Sequence, residues 1–473
     1  MTALDVGRLV LPALRWRENG GYAHEDQAIR AALEQGAGGF IIFGGPAFMA
    51  QALASDLVRR AGRPLLIAAD LERGAGQQFE GLTELPPPGA LASLGDLDVV
   101  RWAGAITGGE ARSIGVNWVF APVADLDLLP ENPIVQSRAF GADPAVVAQN
   151  VRAWVEGCGS VHALSCVKHW PGHGRTTTDS HVGLPVVETP AAELRRTDLA
   201  PFAAGIAAGA TAVMTAHVAY PTLDPSGLPA TRSPAVMELL RRELGFGGLV
   251  ITDALIMDGA TAGADEGQAV VEAVRAGVDL LLYPANPRGV REALDRALAN
   301  GSLPRTRVDE ALGRYAHALE LTRRGYVSPP HGPYDSAAHL ADALLDRGLA
   351  RGSVRRLSAP LELAVVDDDV GGPYAPSPSG YTADELGARG LLGGGGSKVV
   401  LAFAEPRAWK GRSGFSDASR AALAREAPGA ALVVLFAHPR LVAEIPEGPP
   451  VLVAWHRQKL MQDAVARWVA ARA

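Results

Sequence analysis

Side chains able to transfer protons are concentrated in residues 168–181, Lys-His-Trp-Pro-Gly-His-Gly-Arg-Thr-Thr-Thr-Asp-Ser-His. The glycines, proline and threonines of this stretch predict a shaped loop rather than a helix. The apolar run 161–167 precedes it and predicts a buried strand. Polar groups on a loop at a strand end are typical of binding or catalytic sites. A zinc cluster or a few surface histidines are the alternative interpretations.

Asp179 and His181 could together perform acid–base chemistry. Histidine side chains titrate near neutrality, so a charged ring can donate a proton and the neutral ring can then activate water. A carboxylate two residues away could hold such a ring in one orientation. Alone, the Asp-x-His pattern is weak evidence, but its position just after Lys-His-Trp-Pro-Gly-His-Gly strengthens it.

Eight short apolar segments predict the strands that position these groups. They alternate with helical stretches, which predicts a (β/α)8 TIM-type barrel, with an open doubly wound sheet as the alternative. The predicted strands are Gly7–Leu11, Gly39–Phe43, Pro64–Ala69, Asn117–Pro122, His162–Val167, Ala212–Thr215, Gly248–Thr252 and Asp279–Leu282. The predicted helices include Glu25–Gln35, Asp98–Ile114, Pro144–Glu156, Ala191–Ala208, Pro234–Leu244 and Gln268–Ala276.

Polar residues follow these strands at the same end. They are Gly44-Gly45, Asp70, Asp125, Lys168-His169, His217 and Asp253. Barrel enzymes place their chemistry at the carboxyl ends of the strands, so this placement predicts an enzyme independently of any motif.

A second α/β pattern follows the predicted barrel of residues 1–325. Residues 326–360 read as a linker and a helical segment, and residues 361–473 as a smaller α/β sandwich domain. Its predicted strands are Leu361–Val366, Lys398–Phe403, Ala431–Phe436 and Val451–Trp455, and its predicted helices lie near Ala383–Ala388, Asp417–Arg425 and Lys459–Ala471.

Composition excludes several classes of function. The net charge of −7 and the absence of a basic cluster argue against nucleic-acid binding. No apolar run reaches the roughly 18 residues of a membrane helix, and no signal peptide is apparent, which predicts a cytoplasmic protein without a membrane partner. Cys158 and Cys166 predict buried thiols rather than a disulfide framework. No cofactor is expected, because no Gly-x-Gly-x-x-Gly follows the first strand and Gly390–Ser397 is a poor phosphate loop.

Several spaced motifs resemble family 3 glycoside hydrolases of the bacterial β-N-acetylglucosaminidase type, over residues 1–325. Besides Lys168–Gly174 with Asp179-Ser-His181, they are Phe120–Leu126, Asn132–Phe140, Met214–Pro221, Pro229–Ser233 and Ile251–Gly259. Many members of that family also carry an α/β sandwich domain after the barrel.

The resemblance implies a role for each matching residue. Asp253 would be the nucleophile of a retaining reaction, and Asp179 with His181 the acid/base dyad. The terminal sugar would be held by Asp70, Arg138, Lys168 and His169, while His173, His217 and Met257 lie nearby as structural residues. One departure is the stretch Asp70–Phe79, where an arginine occurs early, at Arg73, and Gln78 occupies the later basic position.

The resemblance therefore implies a retaining exo-β-N-acetylglucosaminidase that acts on N-acetylglucosamine-containing glycans, with no metal. Cell-wall muropeptide recycling follows only by analogy with the family. A β-glucosidase, a phosphorylase of the same fold, a non-catalytic carbohydrate-binding barrel and a metal-dependent hydrolase remain alternatives. The sequence makes no prediction about oligomeric state.

Overall fold

The computed structural model of the protein describes residues 6–354, 356–368 and 376–473. Nine short strands of the first part form parallel pairs around a buried apolar core. They are β1 (Val10–Leu11), β2 (Ala13–Arg15), β3 (Gly39–Phe43), β4 (Leu66–Ala69), β5 (Trp118–Val119), β6 (Leu164–Trp170), β7 (Ala212–Thr215), β8 (Leu249–Thr252) and β9 (Leu281–Leu282).

These strands close into a barrel. Pro12 separates β1 from β2, so the two short strands together occupy the first of eight positions. From β2 to β8 the strands pair in chain order. The ring closes where Val10 pairs with Leu281 and where a bridge joins Ile251 to Leu280. The predicted TIM-type barrel is thereby confirmed.

Helices follow the strands around the outside of the barrel. They are α1 (Asp26–Glu34), α2 (Ala47–Ala61), α3 (Pro88–Ser93), α4 (Leu97–Ser113), α5 (Pro144–Ser160), α6 (Ala191–Arg196), α7 (Ala200–Ala207), α8 (Pro234–Glu238, continued by a π-helical turn to Glu243), α9 (Asp258–Thr261), α10 (Glu266–Ala276), α11 (Pro287–Ala299) and α12 (Arg305–Thr322). The single helix predicted over Ala191–Ala208 is wrong. Pro201 has no N–H to donate to the carbonyl of Thr197, so the helix ends and restarts with Pro201 in its first turn.

Several strand predictions need correction at their ends, and the predicted Asn117–Pro122 shortens to Trp118–Val119. The segment Val6–Leu9 forms a 3-10 turn, so the first strand begins at Val10 rather than at Gly7. Strand β6 continues to Trp170, so Lys168 and His169 are strand residues and the loop begins only afterwards. All seven residues of β6 are buried, and Lys168 and His169 are paired with carboxylates inside the barrel mouth.

The second part is a three-layer α/β unit. Its sheet has the order β10-β14-β13-β12-β11, in which only β10 is antiparallel to its neighbour. The strands are β10 (Leu349–Arg351), β11 (Glu362–Asp367), β12 (Lys398–Phe403), β13 (Leu432–Phe436) and β14 (Val451–Val453). The helices are α13 (Ala337–Asp346), α14 (Tyr381–Ala388), α15 (Asp417–Glu426) and α16 (Lys459–Ala470). Separate apolar clusters cover the two faces of the sheet.

Helix α13 connects the two parts. Leu340 belongs to the core of the barrel, whereas Ala341 and Leu345 belong to the core of the second sheet. Helix α13 is thus shared between the two cores. The domain limits proposed at residues 325 and 361 stay a prediction. None of the helices in the described ranges is both long and apolar enough to cross a membrane.

The second part contacts the barrel at the carboxyl ends of the barrel strands. Arg440 pairs with Asp127 and donates to the carbonyl of Leu129, 2.9 Å away. Gln458 donates from Nε2 to the carbonyl of Leu85 at 2.7 Å. These contacts place the second part beside the end of the barrel where the sequence predicts the site.

Candidate active site

Asp253 follows strand β8 and points into the barrel mouth. Its Oδ1 accepts from the backbone N–H of Ala254 at 2.7 Å, and its Oδ2 lies 3.9 Å from Nε2 of His169. Burial alone would raise the pKa of this carboxyl, but the nearby imidazoles of His169, His217 and His181 outweigh it and lower the pKa below its usual range. The side chain is 21% exposed, so an ionised carboxylate faces the cavity.

Lys168 lies between two carboxylates. Its Nζ is 2.8 Å from Oδ1 of Asp70 and 2.8 Å from Oε1 of Glu72. Arg138 donates to both oxygens of Glu72, at 2.7 and 2.9 Å. Burial acts to raise the pKa of Glu72, but the charges of Arg138 and Lys168 hold it well below its usual range. The four side chains form one charged group on the floor of the mouth.

Asp125 fixes the orientation of His169. Its Oδ2 lies 2.6 Å from Nδ1 of His169, and its Oδ1 accepts from the backbone N–H groups of His169 and His173. With Nδ1 donating to Asp125, Nε2 of His169 is directed toward Asp253. Burial lowers the pKa of His173 to about 4, so that ring is neutral near pH 7.

Asp179 and His181 form a hydrogen-bonded pair. Oδ1 of Asp179 lies 2.7 Å from Nδ1 of His181 and accepts from its backbone N–H at 2.9 Å. Burial acts to raise the pKa of Asp179, but the hydrogen bonds and charge of His181 outweigh it and lower the pKa. The Asp179 side chain is inaccessible to solvent, while that of His181 is 21% exposed. The ring of His181 is thus the part of the pair that a bound molecule can reach.

One cavity of about 690 Å³ brings the predicted residues together. Asp253, His181 and the four predicted sugar-binding residues (Asp70, Arg138, Lys168 and His169) all line it. Asp179 supports His181 from behind the wall. Met257 also lines the cavity, whereas His173 and His217 are buried outside its lining. Its volume lies within the usual range for small-molecule sites.

The second part of the chain supplies lining residues that sequence reasoning missed. Pro406, Arg407, Ala408, Trp409 and His456 come from beyond the strands β12 and β14 and border the same cavity. The ring of Trp409 lies 4.3 Å from that of His181, centroid to centroid, and its backbone N–H donates to Oδ2 of Asp179 at 2.8 Å. No local pattern in the sequence links this loop of the second part to the Asp179–His181 pair.

Glu72 and Arg73 were also missed as members of the site. Both lie in the departing stretch after Asp70; Glu72 joins Lys168 to Arg138, and Arg73 donates to Nε2 of His456. The available indication was the Asp-x-Glu alternation directly after a buried strand, which puts both carboxylates near the barrel mouth.

The arrangement is suited to substitution at a carbon that bears an oxygen leaving group. Asp253 offers an ionised carboxylate. His181 offers its Nε2, because Asp179 binds Nδ1 and fixes that nitrogen as a donor. The charged group of Asp70, Glu72, Arg138 and Lys168 presents acceptors and donors suited to hydroxyl groups. Within the described ranges, no three His, Cys, Asp or Glu side chains are grouped so that they could hold a metal ion.

Comparisons with known proteins identify the family. The family model described as "Glycosyl hydrolase family 3 N terminal domain" matches residues 19–318. The chain is 38% identical over 301 residues to a β-hexosaminidase of Stenotrophomonas maltophilia, a match that covers 62% of this chain and 86% of that protein. It is 35% identical over 306 residues to a β-N-acetylglucosaminidase/β-glucosidase of Cellulomonas fimi, with 62% of this chain and 54% of that protein covered. The chain thus spans about half the length of the latter relative.

The likeness to solved structures extends to the second part. A family 3 β-N-acetylglucosaminidase from Paenibacillus sp. superposes with a TM-score of 0.83 at 27% identity. That match covers 100% of this chain and 97% of the other. Both the barrel and the α/β unit that follows it therefore have counterparts in one solved protein.

Proposed function

Because the chain belongs to glycosyl hydrolase family 3, we propose that it is a retaining exo-β-N-acetylglucosaminidase. It would remove terminal β-linked N-acetylglucosamine through a covalent intermediate on Asp253. The observation that carries this proposal is the hydrogen-bonded Asp179–His181 pair, whose imidazole lines the same cavity as the ionised Asp253.

Asp253 is the proposed nucleophile. A retaining glycosidase needs a carboxylate that attacks the anomeric carbon and is displaced by water in a second step. The lowered pKa of Asp253 supports this role, since the carboxyl must be ionised before it attacks. Its rigid position after β8 supports it further, because attack requires close alignment.

His181 is the proposed proton donor and later the base. Most retaining glycosidases use a second carboxylic acid for this task. In this protein the group that lines the cavity and could take this role is the imidazole of His181, which Asp179 holds. The ring would donate to the leaving oxygen in the first step and take a proton from water in the second, which conserves protons over the cycle.

Asp70, Arg138, Lys168 and His169 are the proposed binding residues for the terminal sugar. Carboxylate oxygens accept from hydroxyl pairs, and the Lys and Arg groups donate from fixed positions. Glu72, which also lines the cavity, would hold both cations in place. The second-part residues along one side of the cavity support removal of a terminal residue, because they narrow the access of a long chain. Cell-wall fragments are the proposed natural substrate.

The test is release of nitrophenol from the β-N-acetylglucosaminide and from the β-glucoside. We expect the wild type to prefer the N-acetyl substrate. Asp253→Ala and His181→Ala should both lose activity, and removal of the nucleophile Asp253 should cost on the order of 10³-fold or more. The matched control is Asp258→Asn, an exposed carboxylate five residues later that should keep wild-type activity.

Several outcomes would contradict the proposal. Preference for the glucoside would mean that the enzyme is a β-glucosidase rather than a β-N-acetylglucosaminidase. Lack of turnover of both substrates would favour a non-catalytic carbohydrate-binding protein. Formation of a sugar 1-phosphate on addition of phosphate would indicate a phosphorylase instead of a hydrolase. Activity lost to a chelator and restored by a metal would support the metal-dependent alternative. The first-formed sugar, followed by NMR, should have the β configuration if the reaction is retaining.

A further inference from the structure

We infer that Trp409 is a positioning residue for the Asp179–His181 dyad, so the dyad is complete only when the second part of the chain is docked on the barrel. The inference rests on the proposed function of the dyad. It assigns to the α/β unit a direct part in proton transfer, although the dyad itself belongs to the barrel.

The hydrogen bonds of Asp179 give the first argument. Its Oδ1 accepts from the ring and the backbone of His181, and its Oδ2 accepts from the backbone N–H of Trp409 at 2.8 Å. The carboxylate is fully buried, so water cannot easily replace a missing donor. One of its two oxygens therefore depends on a residue of the second part.

The ring contact gives the second argument. The indole of Trp409 lies against the imidazole of His181, with centroids 4.3 Å apart and planes inclined by 56°. The torsion that turns a histidine ring about its Cβ–Cγ bond is soft, so a hydrogen bond at Nδ1 alone leaves the ring some freedom. The indole limits that freedom and keeps Nε2 directed at the cavity.

The conformation of the loop gives the third argument. Trp409 has a φ of 64°, a left-handed conformation that is unusual for a large side chain. Such a conformation persists only where the surroundings hold it, and it is common at functional sites. Lys410 supplies part of that support, since its Nζ is 3.1 Å from Oδ2 of Asp368 and 3.2 Å from the carbonyl of Glu405.

Arg412 supports the loop from its other side. Its guanidinium lies 2.7 Å from the same carboxylate of Asp368, which follows strand β11 and is buried. Asp368 also accepts from the backbone N–H of Ser416 at 3.0 Å and from the hydroxyl of Ser419 at 2.8 Å. The second part therefore holds the loop of Trp409 through this polar network, while the barrel contacts Trp409 itself through Asp179 and His181.

A misdirected imidazole has a specific kinetic consequence. Cleavage of a bond to a poor leaving group needs a proton delivered in line with the leaving oxygen, whereas a good leaving group departs without it. Loss of Trp409 should therefore slow the formation of the glycosyl-enzyme in proportion to how poor the leaving group is. A general loss of fold or of sugar binding would slow all substrates alike.

The test compares kcat/KM on phenyl and dinitrophenyl N-acetyl-β-glucosaminides, using the full chain. For Trp409→Ala we expect a fall of about 10-fold to 100-fold on the phenyl substrate and less than about threefold on the dinitrophenyl substrate. Trp409→Phe keeps an aromatic ring and should stay within about threefold of wild type on both. His181→Ala provides the reference for complete loss of the proton donor.

Tyr381→Ala is the matched control, because it removes a half-buried aromatic ring of the second part that does not line the cavity. Equal losses on both substrates in Trp409→Ala, or the same pattern in Tyr381→Ala, would overturn the inference. Steep leaving-group dependence in His181→Ala with none in Trp409→Ala would overturn it while leaving the proposed function intact. Absence of wild-type activity on both substrates would instead remove the proposed function on which the inference rests.

Discussion

His173 shows how the motif uses a histidine for structure beside histidines that face the cavity. Its Nδ1 lies 2.6 Å from Oγ1 of Thr176, and its Nε2 lies 3.1 Å from Oγ of Ser180. It therefore ties the start of the loop to the residue directly before His181. A neutral ring suits this task, since it can donate from one nitrogen and accept at the other.

We predict that His173 makes stability depend on pH. The folded pKa is about 4, whereas an unfolded histidine has a pKa of about 6.5. As the pH falls through 6.5 the unfolded chain binds a proton that the folded chain does not, so stability is lost between about pH 6.5 and 4 and levels off below. The loss should approach about 3 kcal/mol, and denaturant unfolding across this range measures it.

His173→Gln should remove this contribution, so its free energy of unfolding should fall less steeply with pH than that of the wild type. His317→Gln is the control, because His317 is exposed on helix α12. Parallel pH curves for wild type and His173→Gln would contradict the prediction, even if the variant is less stable at every pH.

At the scale of elements, the turn after β6 depends on a glycine for a close approach. A Cβ on Gly174 would lie 1.9 Å from the carbonyl oxygen of Leu126, which is part of the backbone and cannot yield alone. Leu126 adjoins Asp125, which orients His169. The glycine at the end of Lys-His-Trp-Pro-Gly-His-Gly thus lets two active-site segments pack together.

We predict that Gly174→Ala destabilises the protein by about 1–3 kcal/mol through this overlap. It should also lower kcat/KM, because the segment carrying Asp125 must move. Gly183→Ala is the matched control in the same loop, since a Cβ there meets nothing within 4 Å. Its stability should stay within about 0.5 kcal/mol of wild type. Equal effects of the two substitutions, by thermal unfolding and nitrophenol release, would contradict the assignment.

The elements that could be predicted from sequence are those with a clear apolar or capping pattern. The predicted bounds of β3 and β7 match those observed, and α5 begins at the predicted Pro144. The motifs also predicted the family, which the family comparison confirms. The predicted strand His162–Val167 ends three residues before β6 does, because Lys168 and His169 look like loop residues until their buried carboxylate partners are known.

The fifth strand of the second sheet was also missed. Strand β10 has three residues and lies half-exposed at the edge of the sheet, so it carries no continuous apolar run. Glu72 had a local indication, the Asp-x-Glu alternation after a buried strand, that was not used. Arg73 and Trp409 were missed because their roles arise from contacts between distant segments, which no local pattern encodes.

At the scale of the whole molecule, a polar contact holds the second part against the barrel mouth. Arg440 and His438 both lie against Asp127, with Nε2 of His438 at 3.1 Å. Burial acts to raise the pKa of Asp127, but His438 and Arg440 outweigh it and lower the pKa. Asp127 is in the segment after β5 that also carries Asp125.

We predict that Arg440→Ala loosens this docking. The carboxylate of Asp127 would then be partly unpaired at the contact, which lowers stability. Small shifts of the active-site groups that follow from looser docking have large effects on rate. We expect kcat/KM to fall by about 10-fold and calorimetry to resolve separate unfolding of the two parts. Arg425→Ala, on the exposed side of α15, should change neither. A single unchanged transition with wild-type activity in Arg440→Ala would contradict the prediction.

The contact between Trp409 and the dyad also has a consequence for biosynthesis. The barrel residues that form the dyad leave the ribosome well before Trp409, and chains fold by domains in that order. The apolar cluster around Phe415, just beyond this loop, includes strand β14, which is synthesised later still. A nascent chain would therefore hold a folded barrel with a poorly directed proton donor. Efficient cleavage of substrates with poor leaving groups would therefore arrive only once the second part has folded and docked.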